Sequence, residues 1–152
     1  MTSVGGDGRV VLDRQAIEAL IPHRDPFLWI DEVIELDATR ILARKQVAED
    51  LAVFSGHYPE FPVLPGVLLC EAAFQAGAVL IASAGNIPPG RVPVVTRQNE
   101  TRFRRMVRPG DVLTIETTLD ETLGAAWFLT GKVSVEDQVA VRLQFACTAA
   151  EV

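Results

Sequence analysis

The feature that most constrains the fold is a long apolar stretch that follows a proline-rich turn. Between residues 66 and 84 only three side chains are polar: Glu71, Gln75 and Ser83. Proline is tolerated in a first helical turn, and Gly85 with Pro88 behind it is a stop signal, so this stretch predicts one long helix. A helix that is apolar on nearly every side is either buried or spans a membrane, and a span needs about 20 apolar residues with few charges. Because Glu71 and Gln75 interrupt the run, we predict a core helix and no membrane span.

Glu71 is the most informative residue of this helix. A carboxylate is costly to bury unless it is paired or stays protonated. Gln75 lies one turn further on the same face and can reach it. Two explanations are open at this point: Glu71 is a functional acid, or it is a structural carboxyl group paired with an arginine.

Length and composition predict one globular domain. The chain has 152 residues, of which 49% are hydrophobic and 22% charged, enough for a sizeable core. A net charge of −6 argues against nucleic-acid binding. Cys70 and Cys147 lie in apolar runs without metal or redox spacing, so we predict buried, reduced thiols. We expect residues 1–12 to be a flexible terminus, residues 13–152 to form the domain, and a cytoplasmic location, because no apolar run of signal-peptide length is present.

The remainder of the chain predicts one short helix and about six strands. Asp13 can cap a helix that ends at Pro22. Alternating apolar residues between turn signals predict strands over residues 27–37, 40–47, 92–103, 112–119, 127–135 and 139–147. Short turns at a spacing of roughly a dozen residues are typical of an antiparallel meander with one buried face. We therefore predict an α+β fold in which the sheet curls around the long central helix.

Several short motifs form one pattern along the chain. They are PHRDPFL at 22–28 with Asp31, GHYP at 56–59, PVLPGVL at 62–68, then Glu71-Ala72 and Gln75, and finally Arg102-Phe103 and PGD at 109–111. This pattern resembles that of the FabZ-type (3R)-3-hydroxyacyl-[acyl-carrier-protein] dehydratases, which have the hotdog fold. The resemblance covers about residues 20–147, and its most specific part runs from His57 to Gln75. FabA-type relatives usually carry Asp at the position of Glu71, so the FabZ branch is the better match.

The chain departs from the family pattern at three places. Tyr58 stands where the family usually has Phe, residues 98–101 differ from the usual pattern, and residues 104–107 replace a common basic-Pro-Val sequence. In the family these positions lie near the substrate tunnel and the rim where the carrier protein docks.

Dehydration of a 3-hydroxyacyl thioester requires a base, an acid and a donor for the thioester oxygen, and the motifs offer one candidate for each. His57 is the candidate base, because an ordinary imidazole is largely neutral near pH 7. Glu71 is the candidate acid, since an apolar helix favours a protonated carboxyl group, and Gln75 can orient it. Gly66 is the candidate oxyanion donor, because the first N–H groups of a helix lack internal partners. Without the surrounding motif, His57 would be interpreted as an ordinary loop histidine and Gly66 as part of an ordinary helix start. We predict a structural role for His23.

The resemblance also implies partners. The substrate arrives on the phosphopantetheine of acyl carrier protein, and no cofactor is expected. Two histidines, no H-E-x-x-H and no cysteine cluster predict no metal site. Because the histidine and the acid of one family site come from different subunits, the resemblance implies a homodimer, which in the family is often assembled further into a trimer of dimers. A basic rim for the acidic carrier protein is predicted at Arg97, Arg102, Arg104, Arg105 and Arg108, with solvated strand faces as the alternative.

Two other functions remain compatible with the sequence. A hotdog thioesterase would hydrolyse the acyl thioester instead of dehydrating it. A non-catalytic hotdog subunit would bind acyl chains or a partner enzyme. The dehydratase is favoured because both His57 and Glu71 are present, in fatty acid biosynthesis or a related lipid or polyketide pathway.

Overall fold

The computed structural model describes the backbone of residues 3–4 and the whole of residues 10–151. Most of the predicted flexible segment 1–12 therefore lies outside the described residues, although Leu12 at its end is buried and bridges to Val33. The elements are β1 Ser3–Val4, α1 Arg14–Leu20, β2 Glu32–Leu36, β3 Arg40–Gln46, α2 Val53–Gly56, α3 Gly66–Ser83, β4 Arg91–Phe103, β5 Val112–Leu123, β6 Ala126–Val135 and β7 Gln138–Glu151.

Within the described residues the strands form one antiparallel sheet of seven, in the order β1-β2-β3-β5-β6-β7-β4. β1 has only two residues, so six strands carry the sheet, as predicted. The predicted meander holds for β5 to β7, whose hairpins turn at Gly124 and at Glu136-Asp137, all with positive φ. β4 departs from it, because after α3 the chain crosses to the far edge and pairs with β7.

The long helix α3 fills the concave face of this sheet, which confirms the predicted core helix. By length and mean hydropathy, 1.7 over 18 residues, α3 would also fit a membrane span, but 61% of it is buried inside the fold. It approaches β6 so closely that a Cβ on Gly131 would lie 2.8 Å from the Cβ of Ala73. On β5, the Thr117 hydroxyl donates to the Ala73 carbonyl at 3.0 Å. Helix and sheet are therefore held at a fixed short separation.

The first predicted strand, residues 27–37, is shorter in the structure. β2 covers only Glu32–Leu36, because Trp29 N and Phe27 O bond the side chain of Gln75 on α3, and within the described backbone only Asp31 N still reaches β3, at the carbonyl of Arg44. A bulge between Val33 and Glu35 breaks the alternation, and both Val33 and Ile34 are buried. The sequence pattern also missed the four-residue helix α2, which leads directly into His57.

Candidate active site

His57 follows α2 and has one ring nitrogen fixed by the backbone. Its Nδ1 lies 2.9 Å from the carbonyl oxygen of Val63. Because a carbonyl only accepts hydrogen bonds, Nδ1 carries the proton of the neutral ring and Nε2 keeps a free lone pair. The next residue, Tyr58, has φ +49°, and its ring packs edge-on against the imidazole with 4.6 Å between centroids. A bulky residue in this backbone region is unusual and is typical of functional sites.

His57 lines a cavity of about 350 Å³ at the first turn of α3. Gly66 and Phe103 lie in the same wall, and a Cβ on Gly66 would come within 2.7 Å of the Phe103 ring. Glycine is therefore required for this close approach. Pro65 precedes the helix and provides no side-chain cap. The first N–H groups of α3 are thus left without a capping side chain beside His57.

Glu71 is held by the side chain of Gln75, as predicted. Gln75 Nε2 donates to Glu71 Oε2 at 3.0 Å. Gln75 is only 1% exposed and also bonds the backbone of the preceding segment: its Oε1 accepts from Trp29 N at 2.8 Å, and its Nε2 donates to Phe27 O at 2.9 Å. The alternative explanation of Glu71, an arginine pair, is not seen among the described residues, where the basic side chain within 4.0 Å of Glu71 is that of His23.

Glu71 lines a second cavity, of about 290 Å³, and not the one that contains His57. Phe74, Val95 and Cys147 form part of its walls. Cys147 and Cys70 are both free and buried, which confirms the prediction of reduced thiols. Burial raises the pKa of Cys147 to about 12, so this thiol is not a nucleophile near neutral pH. Within one chain, the candidate base and the candidate acid therefore do not share a cavity.

The family of the chain follows from its sequence relatives. Residues 21–144 match the FabA-like domain. The chain belongs to the FabA-like family. Within that family it is 39% identical to a 3-hydroxyacyl-[acyl-carrier-protein] dehydratase FabZ of Rickettsia canadensis (strain McKiel), over 88% of this chain and 94% of the relative. It is 41% identical to the protein of the same name from Verminephrobacter eiseniae (strain EF01-2), over 90% and 93%. The predicted relationship to the FabZ branch is confirmed.

Solved structures confirm the hotdog fold of this FabA-like chain. The dehydratase heterocomplex ApeI:P from Xenorhabdus doucetiae superposes with a TM-score of 0.75 at 19% identity, covering 89% of this chain and 91% of that one. A hot-dog-like protein from Thermanaerovibrio acidaminovorans gives 0.62 at 18% identity, covering 75% and 82%. At these identities the likeness concerns the fold alone.

His23 lies closer to the candidate acid of this FabZ-type chain than its sequence position indicates. Its Nε2 is 3.7 Å from Glu71 Oε2, and it lines the Glu71 cavity. Burial is the largest influence and lowers the pKa of His23; Arg24 lowers it further, and Glu71 opposes both. The Pro-His-Arg-Asp-Pro turn gave no signal of this contact, because no local spacing connects residue 23 to residue 71.

The five predicted rim arginines do not form one cluster. None of them has a carboxylate within 4.0 Å among the described residues, whereas Arg14, Arg24, Arg40, Arg44, Lys45, Arg91 and Lys132 all do. Arg105 lines the His57 cavity, and Arg108 stacks over Phe61 at 4.3 Å. Arg102 and Arg104 are exposed at the end of β4 and just after it. Arg97 lies in a separate polar groove with Asp120.

Proposed function

We propose that the protein converts (3R)-3-hydroxyacyl groups on acyl carrier protein to trans-2-enoyl groups, in fatty acid biosynthesis or a related lipid or polyketide pathway. FabZ relatives at 39% and 41% identity, matched over more than nine tenths of their own length, support this activity. The observation that carries the proposal is His57, whose Nδ1 is fixed by a carbonyl so that Nε2 is a free base beside an uncapped helix start.

The proposed reaction uses only proton transfers. His57 Nε2 takes a proton from C2 of the acyl group, and negative charge develops on the thioester oxygen. The backbone N–H of Gly66, at the positive end of α3, donates to that oxygen. Glu71 gives its proton to the C3 hydroxyl, which leaves as water, and the electron pair of the C2–H bond becomes the new double bond. Because this reaction transfers protons and no electrons, it requires no redox cofactor, and Glu71 and the Gly66 N–H supply the polarisation that a metal ion would otherwise provide.

A second copy of the chain is needed to bring the two cavities together. β4 is an edge strand of 13 residues, with exposed apolar side chains at Val94, Val95 and Phe103. A long unpaired edge of this kind is a template for pairing with another chain. Val95 lines the acid cavity and Phe103 lines the base cavity. Antiparallel pairing of two β4 strands centred on Asn99 would place Val95 of one strand opposite Phe103 of the other. His57 would then meet Glu71 of the second copy, in a homodimer with two sites.

Acyl carrier protein is the proposed carrier, and its docking surface is assigned to the arginines nearest the His57 cavity. Arg105 and Arg108 have no carboxylate within 4.0 Å among the described residues, so their charge is available to an acidic partner. Arg102 and Arg104, exposed at and just after the end of β4, are assigned to the same surface from their nearness in sequence, whereas Arg97 lies in a separate groove. The cytoplasmic location stays a prediction.

The docking surface is tested by charge reversal at Arg108. Arg108→Glu is expected to raise KM for an acyl carrier protein substrate about tenfold and to leave the same acyl group on coenzyme A nearly unaffected. Arg97→Glu is the matched control, because Arg97 also lacks a carboxylate within 4.0 Å among the described residues but lies in the separate groove with Asp120. Equal effects on both substrates, or on both variants, would rule out the proposed surface.

The activity itself is tested with 3-hydroxybutyryl and 3-hydroxydecanoyl carrier protein, following enoyl absorbance and free thiol in parallel. We expect enoyl product without thiol release. Thiol release without enoyl product would identify a thioesterase. If neither product forms and coenzyme A substrates are also inert, a non-catalytic acyl-binding subunit would be favoured.

His57→Ala and Glu71→Gln are each expected to abolish turnover while the fold survives. Near wild-type rates in either variant would remove that residue from the mechanism.

A further inference from the structure

The Glu71 cavity also contains the imidazole ring of His23, one nitrogen of which lacks a hydrogen-bond partner among the described residues. His23 is about a quarter exposed, and its Nε2 lies 3.7 Å from Glu71 Oε2, the same oxygen that accepts from Gln75. The other ring nitrogen, Nδ1, is enclosed and has no hydrogen-bond partner among the described residues. Such a group is rare in a folded protein and calls for an explanation.

The surroundings of the ring select one tautomer. A proton on Nδ1 would leave a buried N–H unpaired and would set the lone pair of Nε2 against a carboxyl oxygen. A proton on Nε2 points instead at an acceptor. The neutral ring is therefore expected to carry its proton on Nε2, facing Glu71 Oε2.

The charged and ionisable groups around His23 keep the ring neutral near pH 7. Burial lowers its pKa most, and Arg24 adds to that effect, while Glu71 on α3 acts in the opposite direction. On β7 the cavity presents Cys147, a protonated thiol at this pH, and on β4 it presents only the apolar side chains at positions 93–95. His23 and Glu71 therefore do not form a fixed ion pair at neutral pH, despite their proximity.

We propose that His23 is a positioning residue for the general acid: with Gln75, it presents two N–H donors to Oε2 of Glu71 and so directs the transferable proton to Oε1. This inference rests on the proposed role of Glu71 as the acid. Oε1 has no hydrogen bond among the described residues, so it is the oxygen left for the substrate hydroxyl. The same two donors stabilise the carboxylate that remains after proton transfer. At 3.7 Å the His23 contact is longer than a hydrogen bond, and it is expected to tighten when substrate closes the cavity.

The kinetic test compares two substitutions in the full-length enzyme. His23→Phe keeps a planar ring and removes the donor, whereas His23→Gln places an amide N–H near the position of Nε2. We expect His23→Phe to lower kcat about 10- to 100-fold with little change in KM, and His23→Gln to restore most of that loss. A fully active His23→Phe enzyme, or equal losses in both variants with equal falls in Tm, would overturn the inference.

A second measurement does not depend on turnover. The chain contains only two histidines, so 15N-histidine NMR resolves His23 directly, with His23→Gln identifying its signals. We expect a neutral ring at pH 7 with the proton on Nε2. The Nδ1–H tautomer, or a charged ring at pH 7, would overturn the inference. An inactive wild-type enzyme with the expected NMR result would instead refute the proposed function and leave the His23–Glu71 contact standing.

Discussion

Replacing Gln75 by leucine tests whether this side chain anchors the segment that covers the active-site helix. Leucine has a similar size but cannot hydrogen-bond. In the structure, Gln75 accepts from Trp29 N and donates to Phe27 O, and both bonds join α3 to residues 27–29, which belong to no strand. Gln75→Leu would therefore leave a backbone donor and a backbone acceptor without their partner.

The size of the effect follows from the burial of the two bonds. The bond to Trp29 N is buried, and an unpaired buried donor costs about 1–3 kcal/mol. The bond to Phe27 O is only partly buried, so water can replace some of it, and we assign it at most ~1 kcal/mol. The expected loss in the free energy of unfolding is about 1–4 kcal/mol, which corresponds to a fall in Tm of roughly 2–16 °C for a domain of this size.

Urea and thermal unfolding followed by circular dichroism, at one fixed protein concentration, would measure this loss. Gln15→Leu, at an exposed position of α1, is the matched control and is expected to change stability by less than ~0.5 kcal/mol. Glu71→Gln is the complementary variant, with activity lost and stability nearly retained. A loss below ~1 kcal/mol in Gln75→Leu would refute the anchoring argument, because it would mean that Trp29 N and Phe27 O find other partners.

Three further substitutions test close packing and charge. Gly131→Ala is expected to cost about 1–3 kcal/mol in urea unfolding, since its Cβ would meet the helix at 2.8 Å; an unchanged midpoint would refute the fixed helix–sheet separation. Gly66→Ala is expected to lower kcat at least about tenfold with little change in Tm, because the Phe103 ring must shift at the oxyanion position; wild-type kcat would exclude that role. Burial would raise the pKa of Glu116, but the cations beside this carboxylate outweigh burial and hold its pKa below 4.5. The ionised carboxylate therefore stabilises the fold above pH 4.5, and this stabilisation is lost as the pH falls through the lowered pKa. The Glu116→Gln variant should therefore be less stable than the wild type at pH 7, and its Tm should fall less steeply below pH 4.5. The same dependence of Tm on pH below 4.5 in both proteins would contradict this.

Features determined by local sequence were predictable. The helix α3 begins at Gly66 and ends at Ser83, as its flanking proline and glycine signals indicate. The Gln75–Glu71 contact follows from a spacing of four residues on a helix. The Asp13 cap was also predicted, and Asp13 Oδ1 accepts from Ala16 N. Each of these depends on residues less than twenty positions apart.

Features that depend on distant contacts were not predictable from the pattern alone. Residues 27–29 continue the alternation of a strand, but the backbone of Phe27 and Trp29 bonds to Gln75, more than forty positions away. The crossover after α3 places β4 at the far edge of the sheet, and the alternation of residues in β4 does not indicate this position. His23 was assigned a structural role for the same reason, since only the fold brings residue 23 against Glu71.

The separation of His57 and Glu71 into two cavities of one chain leads to a last prediction, on mixing two inactive variants. In a dimer whose sites combine His57 of one subunit with Glu71 of the other, a heterodimer of His57→Ala and Glu71→Gln has one site with both changes and one with neither. If subunits exchange freely in an equal mixture, half of the dimers are heterodimers, and activity should recover to about a quarter of the wild-type rate. The rate would be followed by enoyl absorbance after the variants are unfolded and refolded together, with each variant refolded alone as the control. If both residues of a site belonged to one chain, every chain in the mixture would lack one of them, and no activity would return. Recovery of activity therefore requires that each site combine residues of two chains across the β4 edge. If subunit exchange is demonstrated and no activity returns, the two-chain site is refuted.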